Sequence, residues 1–240
     1  LYAAYQIACE DDEDDVRNKN NWKSQPLQKT SSDILGLEYK EMKPMISELW
    51  GEREIKEKYV CISEWSTMGC KHWNYPYCWQ SLVDWFSSFG YKVAVVSFEK
   101  TELKNIINLT HRTIEQTINA IKYAELCVTV SSGLAWLSWA LGTKSVIISG
   151  ATKSFCEFTT DVIRIHNPNV CNGCLNDPNV KFNKGEWNWC ERNKGFECTK
   201  AIDPIMVTEE IKKSLGGLTN GQGKQKQTKN KGWSKGSTKS

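Results

Sequence analysis

Four cysteines, Cys171, Cys174, Cys190 and Cys198, crowd a tryptophan-rich stretch that reads CNGCLNDPNVKFNKGEWNWCERNKGFEC. A CxxC pair followed by two further thiols lets one loop wrap a single tetrahedral ion. Thiolate sulfur selects zinc or iron over the oxygen-seeking magnesium and calcium. The irregular spacing after the first pair departs from an ordinary zinc ribbon. Four thiolates leave no open coordination position, so the expected role is structural rather than catalytic. The competing reading is four free or disulfide-bonded thiols, but nothing else in the sequence suggests a secreted, disulfide-built chain.

Two other segments carry chemistry suited to phosphate. SEWSTMGCKHWNY supplies the hydroxyls of Ser66 and Thr67, a turn glycine (Gly69) and the ammonium of Lys71. SSGLAWLSWAL supplies Ser132 and Gly133, leading at Leu134 straight into a helix that also carries Trp136. A glycine lets backbone amides approach a phosphate, and a helix N-terminus favours negative charge. Hydroxyls and one lysine would complete a diphosphate cradle. Taken singly, SSG before a helix is more often a plain cap, and one lysine is more often solvated. Glu157 could in addition contact a ribose hydroxyl, or simply cap a turn. No GxGxxG follows the first strand, which argues against a dehydrogenase, and no GxxxxGK[ST] exists, which excludes a P-loop NTPase.

The elements that must position these residues follow from periodicity. Tyr59–Ser63, Lys92–Phe98, Leu126–Val130, Ser145–Ser149 and Val162–Ile165 read as short, apolar strands. Between them, Trp79–Phe89, Thr113–Ala124 and Leu134–Leu141 have apolar stripes at helical spacing. Strands that are apolar throughout and alternate with helices predict an α/β fold, a parallel sheet with helices on both faces. In such a sheet ligands bind beyond the carboxyl ends of the strands, where both phosphate segments lie. Upstream, SSDILGLEYKEM looks helical. Downstream, Asp203-Pro204 reads as the N-cap and first residue of a helix ending near Lys212, Lys213 and Gly216. Cys61 and Cys127 fall within strands and should be buried and inert. Among the tryptophans, at least one of Trp136 and Trp139 should pack in the core, while Trp187 and Trp189, flanking Cys190, should shield a metal.

Composition bounds the rest. The 240 residues suffice for one good domain and part of another. Residues 217–240 are rich in Gly, Lys, Gln, Asn, Ser and Thr, and are expected to be disordered. Six of the 31 basic residues lie between Gly216 and Ser240, leaving 25 against 28 acidic ones, so the remainder is near −3 despite a whole-chain charge of +3. That balance disfavours a nucleic-acid-binding core. The acidic run Glu10–Asp15 reads as a solvated loop. No apolar run approaches the roughly 20 residues of a membrane span, and the N-terminus has no signal-peptide pattern. A cytoplasmic protein with reduced thiols is therefore expected, and a start at Leu1 suggests a piece of something longer.

The runs ISEWSTMGCKHWNYPYCWQSLVDW, VSSGLAWLSWALG, VIISGATKSFCEF and CNGC…WNWC…FEC resemble the bacterial autotransporter O-heptosyltransferases of glycosyltransferase family 9, over roughly Ser32 to Leu215. The resemblance implies the C-terminal, Rossmann-like half of a two-domain GT-B enzyme. Residues 1–45 would be a remnant of the N-terminal acceptor domain and the link to it. Residues 46–216 would bind the nucleotide sugar and include a metal finger over 170–199.

It further implies transfer of a heptose from an ADP-heptose-like donor, with inversion, to Ser or Thr hydroxyls of a protein acceptor such as an autotransporter adhesin. Ser66, Thr67 and Lys71 match one phosphate-binding loop, and Ser132, Gly133 and Leu134 match the other. Trp136 stands near the sugar nucleotide. Cys171, Cys174, Cys190 and Cys198 match an iron-binding finger, so the resemblance favours iron where thiol chemistry alone accepts zinc. No divalent ion is implied for catalysis, and self-association into a homo-oligomer is compatible with the pattern. The family's general base is an acidic residue of the N-terminal domain, and no residue here is assigned that role. The rival readings are a non-catalytic nucleotide-binding or interaction module and, more remotely, a nucleic-acid binder using the lysine tail.

Overall fold

The protein is described by a computed structural model that covers residues 22–46, 51–181 and 188–215. The acidic run, the basic tail and Trp187 lie outside the described residues. Trp22–Ser24 form one 3₁₀ turn ahead of helix α1 (Leu27–Ile34). The regular alternation follows: β1 (Tyr59–Ser63), α2 (Cys78–Ser88), β2 (Lys92–Val95), β3 (Ile107–Asn108), α3 (Ile114–Lys122), β4 (Cys127–Val130), α4 (Gly133–Ala140), β5 (Ser145–Ile148) and β6 (Val162–Ile165). A short helix α5 (Glu197–Lys200) and a longer α6 (Pro204–Ser214) close the described chain.

The six strands form one sheet in the order β3-β2-β1-β4-β5-β6. Every pairing is parallel. β1, β4 and β5 are buried at every position, which explains why their sequences do not alternate. Val60, Ile62, Val93, Val128 and Ile148 pack on one face under Leu82 and Phe86 of α2 and Val207 and Ile211 of α6. On the other, Tyr59, Cys61, Ala94 and Cys127 pack with Ile118 and Ile121 of α3. Ile147 packs there with Ala135 and Trp139 of α4 and with Phe158. Trp139 is the expected core tryptophan, 1% exposed and stacked on Phe158 with ring centroids 4.5 Å apart. Burial drives the thiols of Cys61 and Cys127 far up, that of Cys127 to about 12, so both are inert hydrophobes.

Helix ends obey local chemistry where it is strong. Thr113 and Gln116 form a reciprocal capping box on α3, and the Asp203 carboxylate accepts from Met206 N–H with Pro204 in the first turn of α6. The upstream expectation needs correction. α1 starts four residues earlier than SSDILGLEYKEM suggests and stops at Ile34, two residues before Gly36 takes φ +66°. Beyond it the chain is extended, because the Glu41 carboxylate accepts four hydrogen bonds, 2.6–2.9 Å long, from the backbone and hydroxyls of Thr159 and Thr160. Lys43 adds an ion pair to Asp161 at 2.8 Å. Residues 41–43 are thereby strapped to the segment that enters β6, and Pro44 and Ile46 beyond them reach a cavity lined by the loop after β1 and the start of α4. None of the helices among the described residues is long and apolar enough to cross a membrane.

Candidate functional site

Strand order reverses direction between β1 and β4, so the connections leaving their carboxyl ends part to opposite sides of the sheet and open a crevice between them. That crevice is a cavity of about 970 Å³. Ser66, Thr67 and Lys71, from the loop after β1, line it together with Ser132, Gly133, Leu134 and Trp136 from the start of α4. The structure thus brings all seven residues expected to hold phosphate or sugar into one space, although the two segments lie more than 60 positions apart.

Their local settings explain what each can offer. Ser132 occupies the N-cap of α4 in an extended conformation, but its side chain makes no capping hydrogen bond. It turns instead toward the Thr129 hydroxyl at 3.3 Å. The Ala135 amide already donates to the Ser132 carbonyl at 3.1 Å, whereas no capping side chain serves the amides of Gly133 and Leu134, which are available to an anion. A Cβ built on Gly133 would meet nothing within 4 Å. Across the cavity, a 3₁₀ turn at Gly69–Lys71 aims the lysine inward. His72 secures the start of this loop through Nε2, 2.7 Å from the Ser66 carbonyl.

Glu157 also lines the cavity, but it is more constrained than a ribose contact alone would need. It is 4% exposed, accepts a short hydrogen bond from the Ser131 hydroxyl, and lies 2.8 Å from Arg164. The pair meets at ion-pair distance without hydrogen-bond alignment, which leaves Glu157 Oε2 and the Arg164 guanidinium nitrogens without hydrogen-bond partners. Ser63 Oγ, at the end of β1, is likewise buried, unpartnered and on the cavity wall. Sequence inspection passes over Ser63, since a serine ending a strand carries no signature. It also passes over Trp65, Phe98 and Ile114, which put exposed apolar surface on the cavity lining. For Trp65 and Phe98 the only available signal was an apolar residue after a strand end, while Ile114 opens α3 and reads as part of its apolar stripe.

The cysteines gather at a second place. Cys171, Cys174, Cys190 and Cys198 all line one small cavity of about 10 Å³, beside Gly150 and Arg192. A fifth thiol, Cys70, lines it too. Among the described residues, no three His, Cys, Asp or Glu side chains stand as a ready ligand group, so the expected finger is present as a cluster of thiols and not as a formed coordination shell. Burial first, and neighbouring thiols next, push Cys174 up to about 12. Burial and Cys171 raise Cys198 to about 11. These thiols hold their protons at neutral pH and would release them on taking a metal.

The donor set nevertheless fits a thiophilic ion. The sulfurs of Cys171 and Cys190 accept from Arg192 at 3.5 Å and from the Lys194 amide at 3.3 Å, and the cavity has the size of one small atom. Gly150 is required there, because a Cβ would lie 2.9 Å from Cys198 Sγ. The expectation that Trp189 shields the cluster fails, since it is 45% exposed. Met68, Ala151, Leu175 and Phe196 supply the apolar cover instead. Cys70, Cys171, Cys174, Cys190 and Cys198 are free thiols.

With this geometry in place, comparison with known proteins is decisive. The profile of glycosyltransferase family 9 (heptosyltransferase) matches residues 22–176. The chain belongs to glycosyltransferase family 9. Within this heptosyltransferase family it is 30% identical to the autotransporter heptosyltransferase Aah of Escherichia coli, an alignment covering 91% of this chain and 59% of Aah. It superposes on the crystal structure of TibC, an iron-containing dodecameric glycosyltransferase of enterotoxigenic E. coli, with a TM-score of 0.83 and 26% identity. That match covers 90% of this chain and 60% of TibC. TibC has also been solved with ADP-D-β-D-heptose, and against that structure the TM-score is 0.74 at 29% identity, over 82% of this chain and 55% of TibC. A further relative, BimC of Burkholderia thailandensis, is described as an inactive autotransporter heptosyltransferase; it is 29% identical over 76% of this chain and 45% of its own length. The chain therefore spans roughly 60% of the length of the first of these relatives.

Proposed function

We propose that this chain is the donor-binding half of a heptosyltransferase, which takes ADP-heptose in the crevice between β1 and β4 and passes the heptose to Ser or Thr hydroxyls of a protein acceptor. The observation that carries this reading is the convergence of Lys71, Ser66 and Thr67 with the uncapped N-terminus of α4 on one cavity of donor size. In the reaction the diphosphate leaves the anomeric carbon as the acceptor hydroxyl attacks from the opposite face, giving inversion. Charge accumulates on the departing ADP, and Lys71 and the amides of Gly133 and Leu134 would meet it there. Trp136, held edge-on against Phe158 at 5.1 Å, offers a fixed apolar wall to the sugar or base. The acceptor hydroxyl must lose its proton to a base. No side chain in the described cavity is assigned that step, which falls to the part of the relatives that this chain does not span.

Cys171, Cys174, Cys190 and Cys198 would hold one metal ion, iron by likeness to TibC and zinc by thiol chemistry alone. Its chemistry there is cross-linking, drawing 171–198 together through thiolate bonds. The Aah and TibC likeness further suggests an autotransporter as acceptor, a cytoplasmic location and assembly into a homo-oligomer.

Calorimetric titration with ADP-heptose tests the reading, with GDP- and UDP-sugars as controls and Lys71→Ala alongside. Selective binding of the ADP-sugar that weakens in the variant supports it; equal binding by the variant removes Lys71 from the cradle. In a complete enzyme the same variant should lose on the order of 10²–10³ in rate. The likeness to an inactive relative supports a second reading, a donor-binding module without turnover. Donor binding with no heptose transfer to any acceptor, even when the missing portion is supplied, would favour it.

A further inference from the structure

The loop after β1 has two sides, and only one of them faces the donor cavity. Met68 and Cys70, each 3% exposed, turn the other way into an apolar cluster with Ala151, Cys174 and Leu175. Cys70 lines the thiol cavity while its neighbour Lys71 lines the donor cavity. Gly69 comes so close to the segment before Cys190 that a Cβ there would lie 3.1 Å from Asn188 Cα. Asn74 then ties the loop to α5. Its Nδ2 donates to the carbonyls of Gly69 at 3.1 Å and His72 at 3.0 Å, and to the Thr199 hydroxyl at 2.9 Å. Thr199 is fully buried and adjoins Cys198. Trp73 adds a bond from its indole N–H to the Ile202 carbonyl, at 2.7 Å.

We infer that the cysteine segment is a positioning device for the donor loop, acting through Cys70, Asn74 and Thr199 to hold Ser66, Thr67 and Lys71 in the cavity wall. None of the three touches the donor cavity; Asn74 and Thr199 are positioning residues. The physical basis is preorganisation. A loop released from its underside must be re-ordered when the anion binds, so apparent affinity falls in proportion to the fraction of loops already in place. One buried hydrogen bond contributes about 1 kcal/mol, so losing the Asn74–Thr199 bond should lower the ratio of ordered to released loops about fivefold, and the apparent affinity by at most that factor. The binding consequence rests on the donor reading above, whereas the mechanical coupling does not.

Thr199→Val keeps the side chain's size and removes the acceptor, and Asn74→Ala removes the donor. Hydrogen exchange over residues 66–72 and 171–199 is followed in the full chain, before and after chelation, with metal content measured and ADP titrated by calorimetry. Thr199→Val and Asn74→Ala should retain the parent's metal content, exchange faster over 66–72 and bind ADP more weakly, by up to about fivefold for Thr199→Val and by at least as much for Asn74→Ala, which also loses the bonds to the Gly69 and His72 carbonyls. Chelation of metal-loaded protein should accelerate both segments. Unchanged exchange over 66–72 in both variants, or chelation that loosens 171–199 alone, overturns the inference. If the parent chain binds no ADP, the donor reading fails while the exchange measurements still decide the coupling.

Discussion

Replacing Gly150 with alanine tests how tightly the cysteine cluster is built onto the sheet. Gly150 follows β5 at the sheet's carboxyl edge and accepts the Gly173 amide at 2.8 Å. Its φ lies outside the left-handed region, so alanine meets no backbone objection. The objection is steric: the new Cβ would stand 2.7 Å from Thr199 Cγ2, 2.9 Å from Cys198 Sγ and 3.0 Å from Cys198 Cβ. None of these atoms is the end of a long flexible chain, and the β-branched threonine is stiff about χ1. Relief requires α5 to retreat by several tenths of an ångström, dragging Cys198 from its partners. Overpacking of this kind costs typically 1–3 kcal/mol, and about 2 is expected here. For a domain of this size that is a fall of roughly 4–8 °C in melting temperature. Thermal unfolding of metal-loaded protein, paired with metal analysis, should show both the fall and a reduced metal content. A variant melting within about 1 °C of the parent, with full metal, would refute the close packing of Gly150 on Cys198 and the placement of the cluster that depends on it.

Three other outcomes are expected. Gly133→Ala, with open space around the new methyl, should hold or raise stability by up to about 1 kcal/mol yet weaken ADP binding, because the methyl crowds the amides that face the cavity; unimpaired binding would exclude a close approach of phosphate there. Cys174→Ser should lower both metal content and melting temperature, and unchanged metal stoichiometry would remove Cys174 from the ligand set. Glu64 is half-buried with Oε1 unpartnered, and burial raises its carboxyl above the ordinary range. A raised folded value favours the protonated acid, so its contribution is present at low pH and lost as pH rises through the folded value. Glu64→Gln should therefore raise the melting temperature at pH 8 and leave it nearly unchanged at pH 4; an equal effect at both would show that charge is not the cause.

The parallel sheet was legible in the sequence because its central strands are buried on both faces, so each shows as an apolar run with no competing pattern. Helix α3 was equally plain, since Thr113 and Gln116 state its start in local chemistry. β3 escaped because two residues, Ile107 and Asn108, make no periodicity. α1 was misplaced because extension beyond Gly36 is decided by Glu41 bonding to Thr159 and Thr160, a contact across 118 positions that no local window contains. The site divided the same way. Ser66, Lys71 and Ser132 to Leu134 were legible because hydroxyls, a lysine and a glycine beside a strand end have a shared chemistry. Cys70, Asn74 and Thr199 were not, because a cysteine 101 positions upstream of the CxxC and an amide bonded to a distant hydroxyl acquire meaning only when the fold brings them together.

The central claim is that the crevice between β1 and β4 holds the diphosphate of an ADP-sugar. A crystal structure of the chain soaked with ADP-heptose tests it most directly. The account predicts the diphosphate between Lys71 and the first-turn amides of α4, with Trp136 beside the sugar or base. ADP-heptose bound elsewhere, or a crevice left empty at concentrations that saturate binding in solution, would contradict it.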